Sequence, residues 1–204
     1  MGGCSNVASA TRGTLGLLIH GTNSHVVPTP AGVAAIPYAQ LQVTSKDGSA
    51  VLVLGNVDHG REAWYSADKE IVFLRDGVLV KTWHLRPDIV STHFPPDSPF
   101  LTGLQHLRAA VTTTRTLDLP DYRYGVEATS HLVPAGMHDV VILGRTHHLL
   151  RIDETLVAPA IHFRADNVYW VDPTTGLVWK SRQSIPGGLI LTLTQLKPYR
   201  GGRS

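Results

Sequence analysis

The sequence predicts a mainly β protein, a single-domain antiparallel β-barrel or sandwich of about a dozen short strands with one or two short helices. Its 204 residues include 19 Gly and 13 Pro, which indicates many turns. Short apolar runs with a period of two recur along the chain, and turn residues separate them. Apolar residues make up 43% and charged residues 17% of the chain, an ordinary content for a domain that buries its own core.

The first regular segment is predicted to be a short helix followed by a β-meander. Thr29 can cap a helix that begins at Pro30 and continues through residues 31–36. From Pro37 the period changes to two, and pairs such as Asp76-Gly77 supply the positive φ angles of tight hairpin turns. The predicted strands begin near Tyr38 and cover residues 38–43, 50–57, 62–66, 70–74 and 78–83.

A proline-rich break and a helix are predicted to separate this meander from a second β series. Residues 87–99 show no periodicity, and Ser98 can cap a helix that starts at Pro99. The apolar face of that helix would consist of Phe100, Leu104, Leu107 and Val111. The second series spans residues 112–197, with strands at 139–145, 148–154, 168–172, 177–182 and 189–196 and a hairpin loop at 172–176.

The N-terminus resembles the end of a bacterial lipobox, because small residues precede Cys4, the single cysteine. The charged start and apolar core of a signal peptide do not precede it, so we expect a trimmed chain or a start codon further upstream. Attachment to a membrane would then depend on a lipid at Cys4, since the longest apolar run, residues 15–19, is too short to span a bilayer. We divide the chain into a tether at 1–28, a β domain at 29–198 and a disordered tail at 199–204.

Several kinds of chemistry find no support in the sequence. The 11 histidines are scattered without ligand spacing, and with a single cysteine they predict no metal site. Residues 66–69 match the S-x-x-K string of penicillin-binding proteins, but they lie between two predicted strands and not at a helix start. No phosphate-binding glycine loop follows a strand, and no basic run indicates nucleic acid. We therefore predict no catalytic residue, no cofactor and no enzymatic activity.

Binding residues are expected among the aromatic side chains on strands. Adjacent residues on a strand face opposite ways, so one member of Trp64 and Tyr65, and one of Tyr169 and Trp170, should be buried. The other member of each pair is a candidate for stacking on a sugar ring or a protein partner. Arg182, which lies near a strand end, is a further candidate.

An ordered set of short motifs is similar to the YjbF/GfcB family. The motifs are IPYA at 36–39, LVLG at 52–55, WYSAD at 64–68, DGVLVKT at 76–82, YWVDPTTG at 169–176, KSRQ at 180–183 and LKP at 196–198. Their order and spacing agree with the family over about residues 27–198. The resemblance implies a lipoprotein lipidated at Cys4, anchored in the outer membrane and facing the periplasm. Ser5 agrees with this, because it is not the aspartate that commonly retains lipoproteins in the inner membrane.

The resemblance also implies a role and partners. Genes of this family typically accompany those for group 4 capsule or exopolysaccharide export, beside a large outer-membrane β-barrel protein. We therefore expect a non-catalytic accessory protein whose partners are that barrel protein, other secretion components and the polysaccharide. One alternative is a carrier that binds a glycan or lipid in its barrel. A less favoured one is a polysaccharide-modifying enzyme, which would need paired carboxylates such as those of Asp68, Glu70, Asp153 and Glu154.

Overall fold

The chain folds into one antiparallel sheet of twelve strands that curls into a nearly closed barrel. The computed structural model describes residues 27–199 and residue 201. The strands are β1 (Gln40–Ser45), β2 (Gly48–Asp58), β3 (Arg61–Tyr65), β4 (Ile71–Arg75), β5 (Val78–Trp83), β6 (Ser91–His93), β7 (Val111–Leu119), β8 (Arg123–Ile142), β9 (Arg145–Ala158), β10 (Phe163–Val171), β11 (Val178–Ile185) and β12 (Leu189–Lys197). The described part also holds helices α1 (Pro30–Ala35) and α2 (Pro99–Thr102) and two 3-10 turns, Leu104–His106 and Pro159–Ile161. The predicted fold class is confirmed.

The strand order joins the beginning of the domain to its end. Strands that are neighbours in sequence pair with each other, except β5 and β6, and β1 pairs with β12 as well as with β2. The two ends of the sheet, β5 and β6, therefore face each other across a seam. Barrels remove sheet edges by closing on themselves, and among the described strands β5 and β6 are the two that leave the ring of ladders open.

The predicted short helix and meander are confirmed, and their turns follow from local sequence. The Thr29 side chain accepts a hydrogen bond of 3.1 Å from the N–H of Gly32 and so caps α1. Gly77 has a φ of +77°, and an added Cβ there would lie 2.3 Å from a side-chain atom of Val178. The β4–β5 turn therefore needs glycine both for its backbone angle and for its close packing against β11.

Two predictions made for the middle of the chain are wrong. The helix that begins at Pro99 ends at Thr102, because Gly103 has a φ of +112° and breaks it, and Val111 begins β7 instead of ending the helix. The strand predicted at 139–145 ends at Ile142, because Leu143 and Gly144 adopt positive φ angles and form a turn. The resulting β8 has 20 residues, longer than the short strands expected.

The hairpin of β8 and β9 extends beyond the barrel. β8 pairs with β7 only as far as Leu132, and β9 pairs with β10 only from Leu150 onward. Residues 138–149, the hairpin arm, therefore pair only with each other. Val140, Ile142 and Leu149 of this arm form an apolar cluster with Val33 of α1 and Leu196 of β12, outside the barrel.

The seam between β5 and β6 is closed by the loop that follows β5. The N–H of Thr82 donates to the carbonyl of Ile89 at 2.9 Å, and the Thr82 hydroxyl accepts the N–H of Ile89 at 2.9 Å. The same hydroxyl donates to the Asp88 carboxylate at 2.6 Å, and that carboxylate also accepts the N–H of Leu85. Side-chain hydrogen bonds thus replace the strand ladder at this position.

Replacing Thr82 by valine should lower the free energy of unfolding by about 1–3 kcal/mol, because the buried N–H of Ile89 and the Asp88 carboxylate would each lose a partner. Urea unfolding would measure the change. Thr114→Val, at an exposed position on β7, is the matched control and should change stability by less than about 0.5 kcal/mol. Equal effects of the two substitutions would contradict this account of the seam.

Candidate functional site

The barrel interior contains a connected polar network supplied by neighbouring strands. Arg115 on β7, Ser130 on β8, Glu154 on β9 and Asn167 and Tyr169 on β10 all point inward and are buried. Each occupies a position that alternation along its strand would give to an apolar side chain. A buried polar group is stable only when it is hydrogen-bonded, so the partners of these side chains decide what the network can do.

Glu154 is the centre of this network, which we call the Glu154 network. Its Oε1 accepts a hydrogen bond from Arg115, and its Oε2 accepts the amide of Asn167 at 2.9 Å and the hydroxyl of Tyr169 at 2.8 Å. Arg115 also donates from Nε and Nη2 to the Ser130 hydroxyl, at 3.2 and 2.9 Å. The charged pair is therefore both neutralised and well supplied with hydrogen bonds, as a buried ion pair requires.

Aromatic rings complete the surroundings of the guanidinium. The Arg115 Cζ lies 4.5 Å from the ring centroid of Phe100 and 5.3 Å from that of Phe94. Phe100 in turn meets Tyr169 edge to face, with 5.8 Å between their centroids. The short helix α2 thus places Phe100 over the ion pair, where the ring face stabilises the cation and excludes water.

Gln183 on β11 connects the interior to the opposite wall of the barrel. Its Oε1 accepts the N–H of Leu79 at 2.9 Å, and its Nε2 donates to the carbonyl of Gly77 at 3.0 Å and to the Ser181 hydroxyl at 2.9 Å. These bonds satisfy backbone groups at the start of β5. Arg182, the neighbour of Gln183 in the KSRQ motif, points the other way: it is exposed and donates to the carbonyl of Asp166.

The interior is filled by side chains. The void beside Arg115, Asn167 and Gln183 has a volume of about 10 Å³, room for about one water molecule. A pocket that encloses a drug-sized ligand typically needs 300 Å³ or more. This void is therefore much smaller than the space that the carrier hypothesis requires.

The carboxylates considered for a hydrolase do not form a pair. Asp153 and Glu154 are neighbours on β9 and face opposite ways, and Asp153 bonds Arg151 on the outside at 2.7 Å. Asp68 lies in the exposed β3–β4 turn, and Glu70 accepts a hydrogen bond from the Ser66 hydroxyl. All three donors to Glu154 come from inside the barrel, so its carboxylate is saturated and not positioned to transfer a proton to a substrate.

The aromatic pairs divide as the alternation of the strands predicts. Trp64 is buried and donates to Glu62 at 3.0 Å, whereas Tyr65 is 37% exposed. Tyr169 is buried in the Glu154 network, whereas Trp170 lies on the outer face, where the ammonium of Lys180 is 5.4 Å from its ring. Tyr65, Trp170 and Arg182 are thus the members of the predicted set that a partner can reach. Cys4, predicted to be lipidated, lies outside the described residues.

A groove on the outside of the barrel was not foreseen from the sequence. It has a volume of about 650 Å³ and lies between α1, the hairpin arm and the ends of β11 and β12. We call it the outer groove. Its lining includes Val33, Leu143, Trp179, Leu196 and Tyr199. The sequence signal for it is the apolar content of the arm. Val140 and Ile142 alternate with other residues in a segment that does not pack in the barrel core, which indicates a second apolar surface.

Within residues 27–199, no group of three or more His, Cys, Asp or Glu side chains could hold a metal ion. No described helix is long and apolar enough to cross a bilayer.

Replacing Glu154 by glutamine should destabilise the protein by about 3 kcal/mol or more, because Arg115 would keep a buried charge without its counter-ion. Asp153→Asn changes the same charge one residue away, on the outer face, and should cost less than about 1 kcal/mol. Denaturant unfolding of both variants would test this. Similar decreases in the free energy of unfolding for the two variants would mean that the Glu154 network does not stabilise the interior of the barrel.

Stability should fall at alkaline pH because of Tyr169. Burial, and next the charge of Glu154, raise the pKa of Tyr169 well above its ordinary value of 10.0. Above pH 10 the unfolded state loses this proton while the folded state keeps it, so the free energy of unfolding decreases by up to about 1.4 kcal/mol per pH unit. Tyr169→Phe should flatten this slope, and Tyr65→Phe, at a partly exposed position, should leave it unchanged.

Comparison with known proteins agrees with the motifs. The family model described as "Group 4 capsule polysaccharide lipoprotein gfcB, YjbF" matches residues 12–196. The "Uncharacterized lipoprotein GfcB" of Escherichia coli K12 is 25% identical over 179 residues, which cover 86% of this chain and 84% of that protein. The crystal structure of the hypothetical lipoprotein YmcC from the same organism superposes with a TM-score of 0.73 at 24% identity, covering 83% of this chain and 88% of that one. The chain therefore belongs to the YjbF/GfcB family of capsule-associated lipoproteins.

Proposed function

We propose that this protein is a non-catalytic accessory subunit of capsule or exopolysaccharide export, held by a lipid at Cys4 on the periplasmic face of the outer membrane. The family description, which names a group 4 capsule polysaccharide lipoprotein, supports an envelope role connected with that polymer. Export subunits of this kind act by binding. The partners we propose are an outer-membrane β-barrel export protein, other secretion components and the polysaccharide itself.

The observation that carries the proposal is the filled and hydrogen-bonded interior. The carboxylate of Glu154 is saturated by Arg115, Asn167 and Tyr169, and the adjoining void holds about 10 Å³. A protein with such an interior offers partners only its outer surface. The outer surface carries aromatic and cationic groups, among them the exposed Tyr65 and Arg182 and the half-buried Trp170.

The carrier hypothesis can be kept only in a modified form. A glycan or lipid enclosed in the barrel would need the interior side chains to move apart, which would break the Arg115–Glu154 pair. Binding outside the barrel needs no such change, and the outer groove is of ligand size. A carrier function would therefore act through that groove.

Deletion of the gene should stop the polymer from reaching the cell surface, because an export subunit is missing, and the wild-type gene should restore it. Extraction and quantification of surface polymer would measure this. The purified protein should release no reducing ends from the polymer. Normal surface polymer in the clean deletion would exclude the export role, and measurable turnover would support the enzyme hypothesis.

Complementation with point variants would identify the parts that act. Cys4→Ala should abolish labelling by a palmitate analogue, remove the protein from the outer-membrane fraction and fail to restore export. Arg182→Ala should weaken export if this side chain is at the centre of an interface, where truncation typically costs about 2 kcal/mol or more. Arg164→Ala, an exposed arginine on the neighbouring strand β10, is its matched control.

A further inference from the structure

The outer groove combines an aromatic floor with walls from two separate elements. The Trp179 ring is half-buried, and its centroid lies 4.2 Å from that of His147 on the hairpin arm. Tyr199, at one end of the groove, is 49% exposed. Partly exposed flat rings are suited to the apolar faces of sugar rings, whose C–H groups pack against the negative face of the aromatic system.

The polar groups of the groove are cationic or neutral. Arg145 at the tip of the arm and Lys197 at the end of β12 line it, and no aspartate or glutamate does. Arg145 is exposed and forms no ion pair within the described residues. The Lys197 ammonium donates one hydrogen bond, of 2.7 Å, to the carbonyl of Ile36, which leaves further N–H groups for a ligand.

His147 contributes hydrogen-bonding capacity to the groove and not a fixed charge. Burial, and next the positive charge of Arg145, lower its pKa below the ordinary value of 6.5, so the ring is neutral at pH 7. A neutral imidazole has one donor and one acceptor nitrogen, which suits a sugar hydroxyl. Asp172 lies beside this floor without lining the groove, because its carboxylate accepts a hydrogen bond from the Trp179 side chain as well as from the N–H groups of Thr174 and Thr175. Its negative charge also acts on His147.

We propose that the outer groove is a binding site for an acidic polysaccharide, with sugar rings on Trp179 and Tyr199 and a carboxylate of the polymer at Arg145 and Lys197. The volume of about 650 Å³ is within the range of ligand sites, and the described lining residues include two cations and no carboxylate, which favours an anionic ligand. This inference rests on the proposed function and names the chemistry of the polymer that the protein would contact.

Binding of defined oligosaccharides to the full chain tests the proposal. The probes are a hexamer of 1,4-linked galacturonic acid, an alternating glucuronic acid–N-acetylglucosamine hexamer, and maltohexaose, which is neutral. Calorimetry should show binding of at least one acidic hexamer, weakened by added salt, and at least about tenfold weaker binding of maltohexaose, because it lacks the charge-assisted hydrogen bonds.

Charge reversal at two matched positions distinguishes specific binding in the outer groove from unspecific electrostatic attraction of the ligand to the protein. Arg145→Glu should weaken binding by about tenfold or more, because it replaces an attraction with a repulsion. Arg164→Glu makes the same change of net charge at the far end of β10. It lies about 20 Å along the strand from Trp170, which packs against the apolar cluster beside the groove, so the affinity should stay unchanged. Trp179→Phe, which keeps a ring, should bind more tightly than Trp179→Ala, and melting curves would check that each variant folds.

Three outcomes would overturn the proposal. One is equal weakening by Arg145→Glu and Arg164→Glu, which would indicate unspecific attraction. Another is equal affinity for maltohexaose and the acidic hexamers. The third is no binding of either acidic hexamer to the full chain, as expected if residues 1–26, a second copy or a protein partner occupies the groove.

Experiments with the deletion strain show whether the groove assignment and the export role fail separately. If deletion blocks export while Arg145→Glu binds the acidic hexamers as tightly as the wild type, the groove assignment fails and the export role stands. If the hexamer results hold and deletion leaves surface polymer normal, the export role fails and the binding site stands. Loss of export in Arg145→Glu but not in Arg164→Glu would support both.

Discussion

The structure depends on the buried carboxylate of Glu154. A negative charge in the middle of a barrel is tolerated only when both carboxylate oxygens are hydrogen-bonded and a counter-ion is close, and Arg115, Asn167 and Tyr169 meet this demand. These partners lie on β7 and β10, on either side of the strands β8 and β9. A slip of one residue in any of the intervening ladders would turn a partner outward, so the network specifies the register of this half of the barrel.

The other half of the barrel is specified by apolar packing, and the β10–β11 and β11–β12 ladders join the two halves. Leu41, Leu52, Val72 and Leu191 belong to one continuous apolar cluster between β1–β4 and β12. Gln183 fastens the start of β5 to β11, and Thr82 closes the seam. Because the interior side chains are packed and hydrogen-bonded to one another, the surface that remains for recognition is the outer face of the barrel. On this face α1 and the hairpin arm pack against the strands.

The strands of the first half could be predicted because their signals are local. Pairs such as Asp76-Gly77 lie between alternating apolar runs, and both the turn and the period appear in the sequence. The Glu154 network could not be predicted, because even its ion pair joins residues 39 positions apart and only the ladders bring them together. The helix after Pro99 was predicted too long, since Val111 has the spacing of a helix face but pairs as a strand. The outer groove depends on where the arm folds, and no spacing of residues encodes that.

The position of β1 has a mechanical consequence. The chain enters the domain through α1 and β1, and β1 lies between β2 and β12 instead of at a sheet edge. Tension applied to the N-terminal side, as by a lipid at Cys4, would act along a strand held by two ladders at once. In that geometry the hydrogen bonds on both sides are loaded together in shear, and the Gln40 amide and Lys197 ammonium add bonds to the carbonyls of Val33 and Ile36. A protein tethered in this way resists being pulled open by the motion of whatever it is bound to.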